Sequence, residues 1–444
     1  MRSMSDDEST KAERLRHQIA LAVDWFRSCV SSSSWRSRVL VILIAALVLL
    51  IRKTDAFVNP QFWAEDGSVF FIQQYLHGAR ALLIPYAGYL HLVPRVVALS
   101  AAALVPYAAA PLFYNLSSLV LTLAAVGSVF SPRFKSDFKP LIALAVVLVP
   151  QHANEIFLTI TNVQWVLTLV LVLVLLKEAP DRRFGNVPLQ AIADLAVVVI
   201  CGLTGPFIVV LLPFFAWRWI KSRRASDLSL LAAATVVSAL QLYFILSTSV
   251  PSGSFEVGSL LRGFAAVIAL KVFVGQFFGS IVAQAITSLH PSVATFTLLG
   301  IALVLYVITV AWILLSSSFK NTLINVCVGI HIAMLAAAFF KARDSILGLI
   351  AVANGNRYFY VPYVMMAWCL IALAASQERR TRAIATTALV LMLGASITSG
   401  FHSNDFTDYT WGVYSQTIGT RSVAIPINPS GWKIEIPARG KAIR

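Results

Sequence analysis

Long apolar runs constrain the fold of this chain more than any other feature. Runs of about 17–25 apolar residues can each cross a hydrocarbon layer of about 30 Å as a helix. Hydrophobic residues make up 58% of the 444 residues and charged residues only 12%, against about 45–50% and about 25% in soluble domains. The sequence therefore predicts an all-α polytopic membrane protein with about 11 transmembrane helices plus re-entrant or interfacial helices.

Basic residues lie in short loops between these runs, which explains the net charge of +15. Such loops include Lys177–Arg183, Lys221–Arg224 and Glu378–Arg382. By the positive-inside rule they face the cytoplasm, so the lipid bilayer is the expected surrounding and nucleic acid is not an expected partner. The sequence shows no eukaryotic retention signal, and we expect a multi-pass protein of a bacterial inner (plasma) membrane with its active site facing the periplasm.

The chain divides into three parts by composition. Residues 1–35 form a basic amphipathic segment expected in the cytoplasm, and residues 36–399 form a multi-span membrane domain. In that domain the first external loop covers about residues 54–110. Residues 400–444 predict a small external cap, in which RSVAIPINPSGWKIEIP alternates as short strands broken by prolines do.

Two apolar runs carry polar residues at positions where a simple crossing would bury them. His91 and Arg95 lie in the run Leu90–Val105, and Lys271 lies in the run Phe264–Ala285. Ionisable groups at membrane depth need a cavity or surrounding protein. We therefore expect both runs to be re-entrant or interfacial.

The strongest candidate for chemistry is the stretch Trp63-Ala64-Glu65-Asp66-Gly67 in the first external loop. Two neighbouring carboxylates can serve as a general base and its orienting partner, or as ligands for a divalent cation such as Mg²⁺ or Mn²⁺. Alternatively, Asp66 caps the helix that follows it. Capping accounts for one carboxylate but not for both, nor for the aromatic neighbours.

A long first external loop with an acidic pair, followed by interfacial helices and ten or more spans, resembles the glycosyltransferase C superfamily. The resemblance covers the architecture of most of the chain, and its motif is the acidic pair alone. It implies a membrane enzyme that transfers a sugar from a polyprenyl-phosphate-linked donor to a glycan or lipid-linked acceptor on the external face. It also implies that an acidic residue of this loop is the base, with Asp66 as the first choice and Glu65 as the second.

Cations are needed to stabilise the departing lipid phosphate of such a reaction. Arg357, beside Tyr358 in GNRYFYVPY, and Arg95 in HLVPR are the candidates, because guanidinium groups match phosphate oxygens. An interfacial aromatic belt with a snorkelling arginine is the alternative for Arg357. Lys341 and Arg343 are interpreted as ordinary loop charges.

The residues expected to bind the sugar and the acceptor are His91 and the polar cluster QHANEIFLTITNVQW. Glu155 and Asn162 can bond sugar hydroxyls, and Trp165 can stack on a pyranose. Alternatively, the helical spacing of this cluster is that of a plain helical connection. His91 could equally be a loop or interface histidine that binds no ligand. No third ligand lies at a metal-like spacing, so no zinc site is predicted.

Two other functions compete with the transferase. A transporter or flippase of lipid-linked sugars usually places charges near the midplane of paired repeats, and no repeat is visible here. A polysaccharide polymerase or ligase tends to carry its large external loops later in the chain. The early acidic loop favours the transferase, which we expect to invert the configuration of the sugar.

Overall fold

The computed structural model describes residues 35–149, 153–248, 257–289, 292–317, 321–350, 355–402 and 406–438. The predicted amphipathic segment lies outside these ranges, except for Trp35. In chain order the α-helices are α1 (Trp35–Arg52), α2 (Asp55–Val58), α3 (Ile72–His77), α4 (Leu92–Leu104), α5 (Ala110–Ser128), α6 (Lys139–Leu148), α7 (Ala153–Ile156), α8 (Val163–Leu176), α9 (Val187–Gly202), α10 (Phe207–Ser222), α11 (Ala225–Thr248), α12 (Val257–Val267), α13 (Gln276–Phe278), α14 (Ser280–Ser288), α15 (Val293–Ser316), α16 (Thr322–Ala342), α17 (Arg357–Ala374), α18 (Arg379–Thr398) and α19 (Trp411–Ser415).

Short helices of other types connect several of these elements. Two stretches are π-helical, Asp66–Phe71 and Ile268–Gly275. The 3-10 helices are Gly78–Leu83, Tyr107–Ala109, Arg182–Phe184 and Arg343–Leu349. The stretch predicted as the first external loop is therefore not an open loop, because π-helical, α-helical and 3-10 turns fill most of it.

Seven helices within the described ranges are long and apolar enough to cross a membrane. They are Tyr107–Ser128, Ala225–Thr248, Gly258–Phe278, Val293–Ser316, Thr322–Ile346, Arg357–Ala374 and Arg379–Thr398. The mainly helical, multi-pass architecture predicted from the sequence is thus confirmed. The predicted count of eleven spans is not shown, because α4, α6, α8 and α9 are apolar but only 10–17 residues long. At about 1.5 Å per residue, such helices are shorter than a hydrocarbon layer of about 30 Å.

The centre of the helical assembly is α17, whose side chains are mostly buried. It packs against α16, α18, α6 and α8. Trp368 of this helix is fully buried, and its indole N–H donates to the carbonyl of Ile142 at 2.9 Å. By contrast, only 11% of the most apolar 18-residue stretch of α15 is buried. This helix therefore lies at the periphery.

The C-terminal tail forms the short strands predicted from its alternation. Strands β1 (Val423–Ile427) and β2 (Trp432–Ile436) pair antiparallel, with Val423 opposite Ile436. This hairpin docks on the first external loop: the Tyr75 hydroxyl donates to the Pro437 carbonyl at 3.4 Å. In the helical part of the tail, the Trp411 indole N–H donates to the Tyr107 carbonyl at 2.9 Å.

Gly67 lies where the hairpin packs closely against the loop. A Cβ atom at this position would lie 2.7 Å from Cδ1 of Ile434 and 3.0 Å from Cδ1 of Ile427. Both isoleucines are buried, so they have little room to move. The absence of a side chain at Gly67 is therefore what lets the hairpin sit directly on the acidic segment.

We expect Gly67→Val to weaken the docking of the hairpin, because overpacking of a buried contact costs about 1–3 kcal/mol. Limited proteolysis of purified protein, followed through a C-terminal tag, should show faster cleavage of the tail in the variant. The matched control is Gly412→Val, since a Cβ there meets nothing within 4 Å. Equal cleavage of Gly67→Val and wild type would mean that the hairpin is held elsewhere.

Candidate functional site

The two neighbouring carboxylates of the acidic pair have different surroundings. Asp66 is 1% exposed, and its oxygens accept three hydrogen bonds from the segment before α8. Oδ2 accepts from the Ile160 N–H at 3.0 Å, and Oδ1 accepts from the Thr161 N–H at 2.9 Å and the Thr161 hydroxyl at 2.5 Å. Asp66 therefore ties the first external loop to a distant segment and does not act as a side-chain cap of its own helix.

The pKa of Asp66 reflects this enclosure. Burial raises it to about 6, while the hydrogen bonds from Thr161 and Ile160 and the charge of Lys53 oppose the rise. Near neutral pH the carboxylate is mostly ionised and all three donors are used. With its oxygens occupied in this way, Asp66 is poorly placed to take a proton from a substrate, contrary to the first choice made from the sequence.

Backbone geometry directs the Glu65 side chain away from that of Asp66. Ala64 has a left-handed φ of 41°, and its N–H donates to the Asn428 carbonyl at 2.5 Å. Asn428 in turn donates its own N–H to the Phe62 carbonyl at 3.2 Å. This exchange fixes the chain immediately before Glu65, whose side chain is half-buried and accepts from the Tyr86 hydroxyl at 3.4 Å.

Glu65 lines a cavity of about 420 Å³, referred to below as the candidate cavity. One part of its wall is polar and aromatic, and the rest is apolar. The polar and aromatic wall consists of Glu65, Tyr86, Tyr89, His91, Thr161, Asn162, Gln164, Trp165, Phe207, Lys341, Arg357 and Tyr358. The apolar wall comes from α10, α11 and α16, with Val209, Val210, Leu242, Ile245, Met334, Ala337, Ala338 and Phe340.

Most site residues predicted from the sequence meet in this cavity. Glu65, His91, Asn162, Trp165, Arg357 and Tyr358 all line it. They come from the first external loop, from the segment leading into α8 and from the start of α17. Residues that are almost 300 positions apart thus share one concave surface, which is the arrangement expected of a ligand site.

Glu155, predicted as a sugar ligand, has a different role. Its carboxylate forms an ion pair with the Arg357 guanidinium and accepts from the Arg357 N–H at 3.3 Å. Asn162 donates from its amide to the Glu155 carbonyl at 2.5 Å. Glu155 does not line the cavity, so it holds Arg357 in place at the first turn of α17.

Arg95 also lies away from the candidate cavity, contrary to its predicted role at the donor phosphate. Its guanidinium donates to Gln73 Oε1 at 2.5 Å and to the Ile84 carbonyl at 3.0 Å. It lies 4.8 Å from the centroid of the Phe70 ring. Arg95 is 1% exposed, and its bonds join parts of the folded loop from the inside.

Three buried polar atoms on the cavity wall have no hydrogen-bond partner in the part of the chain that the structure describes. They are His91 Nε2, Gln164 Oε1 and Trp165 Nε1. A buried polar group without a partner costs about 1–3 kcal/mol, so such atoms usually face water or a ligand. Their concentration on one wall marks where a polar ligand would make its hydrogen bonds.

The protonation state of His91 decides whether its Nε2 atom acts as a hydrogen-bond donor or as an acceptor. Burial lowers the pKa of His91 to about 3, so the imidazole is neutral. Nδ1 lies 3.2 Å from the Tyr89 carbonyl, which can only accept, and therefore carries the proton. Nε2 is then an acceptor, and together with the Gln164 carbonyl and the Trp165 indole N–H it forms a set that suits a ligand with hydroxyl groups.

The acidic pair does not fit a divalent cation that would bridge both carboxylates. The Asp66 oxygens are occupied by three donors, and only Glu65 lines the cavity. Across the described ranges, no group of three or more His, Cys, Asp or Glu side chains is arranged to hold a metal ion.

Two tyrosines of the cavity were not predicted from the sequence. Tyr86 and Tyr89 exchange backbone hydrogen bonds at 2.9 and 3.1 Å across a tight turn. Ala87 and Gly88 form its tip with positive φ angles of 52° and 91°. The dipeptide Ala-Gly between two tyrosines was the available turn signal. Lys341, interpreted as a loop charge, also lines the cavity.

Comparisons of the chain with protein-family models, with curated proteins and with solved structures find no match.

Proposed function

We propose that this protein is an integral membrane glycosyltransferase. It would move a sugar from a polyprenyl-phosphate-linked donor to a glycan or lipid-linked acceptor, with inversion at the anomeric carbon. The observation that carries the proposal is that Glu65 and Arg357 line one cavity, part of whose wall is apolar. Such a cavity offers a base, a cation and a lipid-compatible surface together.

The polar and apolar walls of the candidate cavity match the two parts of the donor. Arg357 and Lys341 are cations suited to the phosphate, and the apolar residues of α11 and α16 suit the first units of a polyprenyl chain. Phe340, 70% exposed on α16, lies where the cavity meets the outer surface of the helices. A lipid tail can therefore leave the cavity sideways toward the bilayer.

The sugar would occupy the polar wall. Trp165 packs against Phe207, with ring centroids 4.4 Å apart, and its edge meets Tyr358 at 5.6 Å. These rings supply the flat apolar surface on which a pyranose face stacks. The orphan atoms of His91, Gln164 and Trp165 supply two acceptors and one donor for its hydroxyl groups.

Glu65 is the proposed base. Its carboxylate takes the proton of the acceptor hydroxyl as that oxygen forms a bond to the anomeric carbon. The bond between the anomeric carbon and the phosphate oxygen breaks with both electrons, and the polyprenyl phosphate leaves. Arg357 and Lys341 stabilise the charge that develops on the phosphate, while Asp66 and Glu155 act as positioning residues.

The orientation that accompanies this proposal places the candidate cavity on the periplasmic side of a bacterial inner membrane. Its support is the distribution of basic loops. Arg218 and Arg224 lie at the ends of helices whose other ends line the candidate cavity. By the positive-inside rule, those basic ends face the cytoplasm.

The test is sugar transfer by purified protein in lipid nanodiscs with a panel of polyprenyl-phosphate sugars and candidate acceptors. We expect turnover with at least one donor and none with the matching nucleotide sugars. Donor binding without turnover, together with movement of the lipid-linked sugar between leaflets of vesicles, would instead establish the transporter or flippase alternative. Products that lengthen by whole repeat units would indicate a polymerase or ligase.

Arg357→Gln should lower kcat/KM for the lipid-linked donor by about 10²–10³, because it removes a cation aimed at the leaving phosphate. The matched control is Arg343→Gln. Arg343 lies near the same end of α16, donates to the Phe340 carbonyl at 2.8 Å and does not line the cavity. A similar loss of kcat/KM in both variants would show that the effect of Arg357 is not local to the phosphate.

A further inference from the structure

A second cavity, of about 500 Å³, lies at the other end of the helices that form the candidate cavity. Helices α8, α10, α11 and α16 contribute one end to each cavity. The 21 residues of α16 rise about 32 Å, so the two cavities lie near opposite faces of the membrane. We call the second one the basic cavity.

Cationic side chains dominate the wall of the basic cavity. Five cations line it, Lys135, Lys177, Arg218, Lys221 and Arg224, against the two carboxylates Glu178 and Asp227. The excess of positive charge is therefore built into the wall and is not a single exposed lysine.

Both carboxylates already have partners. Asp227 accepts from Arg218 Nε at 2.8 Å and from the Ser222 hydroxyl at 2.5 Å. Glu178 accepts from Arg183 at 3.1 Å and lies 3.8 Å from Lys135. Neither carboxylate is therefore available to neutralise the other cations of the wall.

Arg218 gives the cavity its fixed shape. Besides Asp227, it donates to the carbonyls of Val174, Leu175 and Lys177 at 2.6, 3.0 and 2.8 Å. These bonds satisfy the last carbonyls of α8 and join α8 to α10. The charge of Arg218 is thus used inside the protein. Lys177, Lys221 and Arg224 remain as the wall cations that have no described carboxylate within 4 Å.

The rim of the basic cavity carries the features of a membrane interface. Trp217 is 39% exposed and lies under Lys221, whose Nζ is 5.1 Å from the ring centroid. Ile220 of α10 and Leu228 of α11, two helices that line this cavity, are exposed apolar side chains. Tryptophan at the headgroup level and apolar side chains beside it are typical of a surface that contacts lipid.

We propose that the basic cavity binds the phosphate headgroup of an anionic phospholipid, in the leaflet opposite the candidate cavity. Basic pockets between membrane helices recognise anionic lipid headgroups in this way. Lys177, Lys221 and Arg224 bond the phosphate oxygens, and the acyl chains run along the apolar surface of α10 and α11. This site does not depend on the glycosyltransferase proposal.

The test measures binding of three soluble probes to purified full-length protein in a neutral detergent by calorimetry. They are dihexanoyl-phosphatidylglycerol, dihexanoyl-phosphatidylcholine and glycerol 3-phosphate. We expect the phosphatidylglycerol to bind more tightly than both other probes. The triple variant Lys177→Gln, Lys221→Gln, Arg224→Gln should lose about a hundredfold of that affinity, at the strength usual for cations near an anionic headgroup.

The matched control is the triple variant Arg379→Gln, Arg380→Gln, Arg382→Gln. These arginines are exposed at the start of α18, on the same membrane side, and lie outside the basic cavity. It should bind phosphatidylglycerol as wild type does. Equal losses in both triple variants would overturn the proposal in favour of diffuse surface attraction. Binding of glycerol 3-phosphate as tight as that of the lipid would assign the cavity to a soluble phosphate ester instead.

The thermal midpoint in neutral detergent shows whether each triple variant is folded. Should the cavity variant be unfolded, the single variants Lys221→Gln and Arg224→Gln replace it. Each of these should lower the phosphatidylglycerol affinity by about fivefold. Wild-type affinity in both single variants would overturn the proposal.

Discussion

Glu65→Gln is expected to lower the turnover of sugar transfer by about 10²–10⁴, the contribution typical of a positioned general base. Glutamine keeps the size of the side chain and can still accept from the Tyr86 hydroxyl, which lies 3.4 Å from Glu65 Oε1. It cannot take a proton from the acceptor. The measurement is turnover in nanodiscs at saturating donor and acceptor, with the thermal midpoint recorded in parallel.

The matched control for Glu65 is Glu435→Gln in the C-terminal hairpin. Glu435 is exposed and pairs with Lys433 at 2.6 Å, away from the cavity. It should keep full turnover. If Glu65→Gln retained turnover and donor specificity, Glu65 would not be the base, and the proposed chemistry would need another group.

Asp66→Asn is expected to destabilise the folded protein by about 1–3 kcal/mol. An amide can offer only one oxygen to the three donors that now bond Asp66, so its NH₂ group must face an N–H or hydroxyl donor. The substitution also removes the electrostatic attraction between this carboxylate and the buried Lys53. Denaturation of the purified protein, monitored by tryptophan fluorescence, checks the loss.

The pH dependence of the stability difference tests whether it comes from a buried carboxylate. Burial raises the pKa of Asp66 to about 6 from its ordinary value of 3.8, so the folded protein binds this proton more tightly than the unfolded chain does. The stability linked to this proton is complete below about pH 4 and is lost as the pH rises through 6. The stability difference between wild type and Asp66→Asn should therefore narrow between pH 4 and 6.

Asp137→Asn is the control for Asp66, because Asp137 is exposed. It should change stability by less than about 0.5 kcal/mol at every pH. Unchanged stability of Asp66→Asn combined with complete loss of turnover would instead restore Asp66 as the base, as first expected from the sequence.

The class of fold was predictable because it depends on composition and run length. Apolar runs such as Val293–Ser316 are recognised from sequence alone. The number of membrane crossings was harder to predict, because α4 and α6 are only 13 and 10 residues long. Whether such short helices cross, enter partly or lie in the interface is decided by their neighbours, which a single sequence does not reveal.

The candidate site was predicted in its residue types better than in its geometry. The scarcity of charge identified Glu65, Asp66 and Arg357 as residues worth attention. Sequence could not tell which neighbouring carboxylate would face the cavity, because the answer depends on the left-handed turn at Ala64 and its bond to Asn428. Nor could it show that Glu155 would be the partner of Arg357, since the two are 202 positions apart.

The docking of the C-terminal hairpin also sets the order in which the molecule can be completed. Tyr75 and Pro437, which bond across this contact, are 362 positions apart, so the ribosome finishes nearly the whole membrane domain before the hairpin exists. Until then, the backbone of Ala64 lacks its partner Asn428 and the direction of Glu65 is not fixed. A nascent chain that is already inserted would thus hold its carboxylate in many orientations, and the hairpin, translated after the membrane helices, would select one of them.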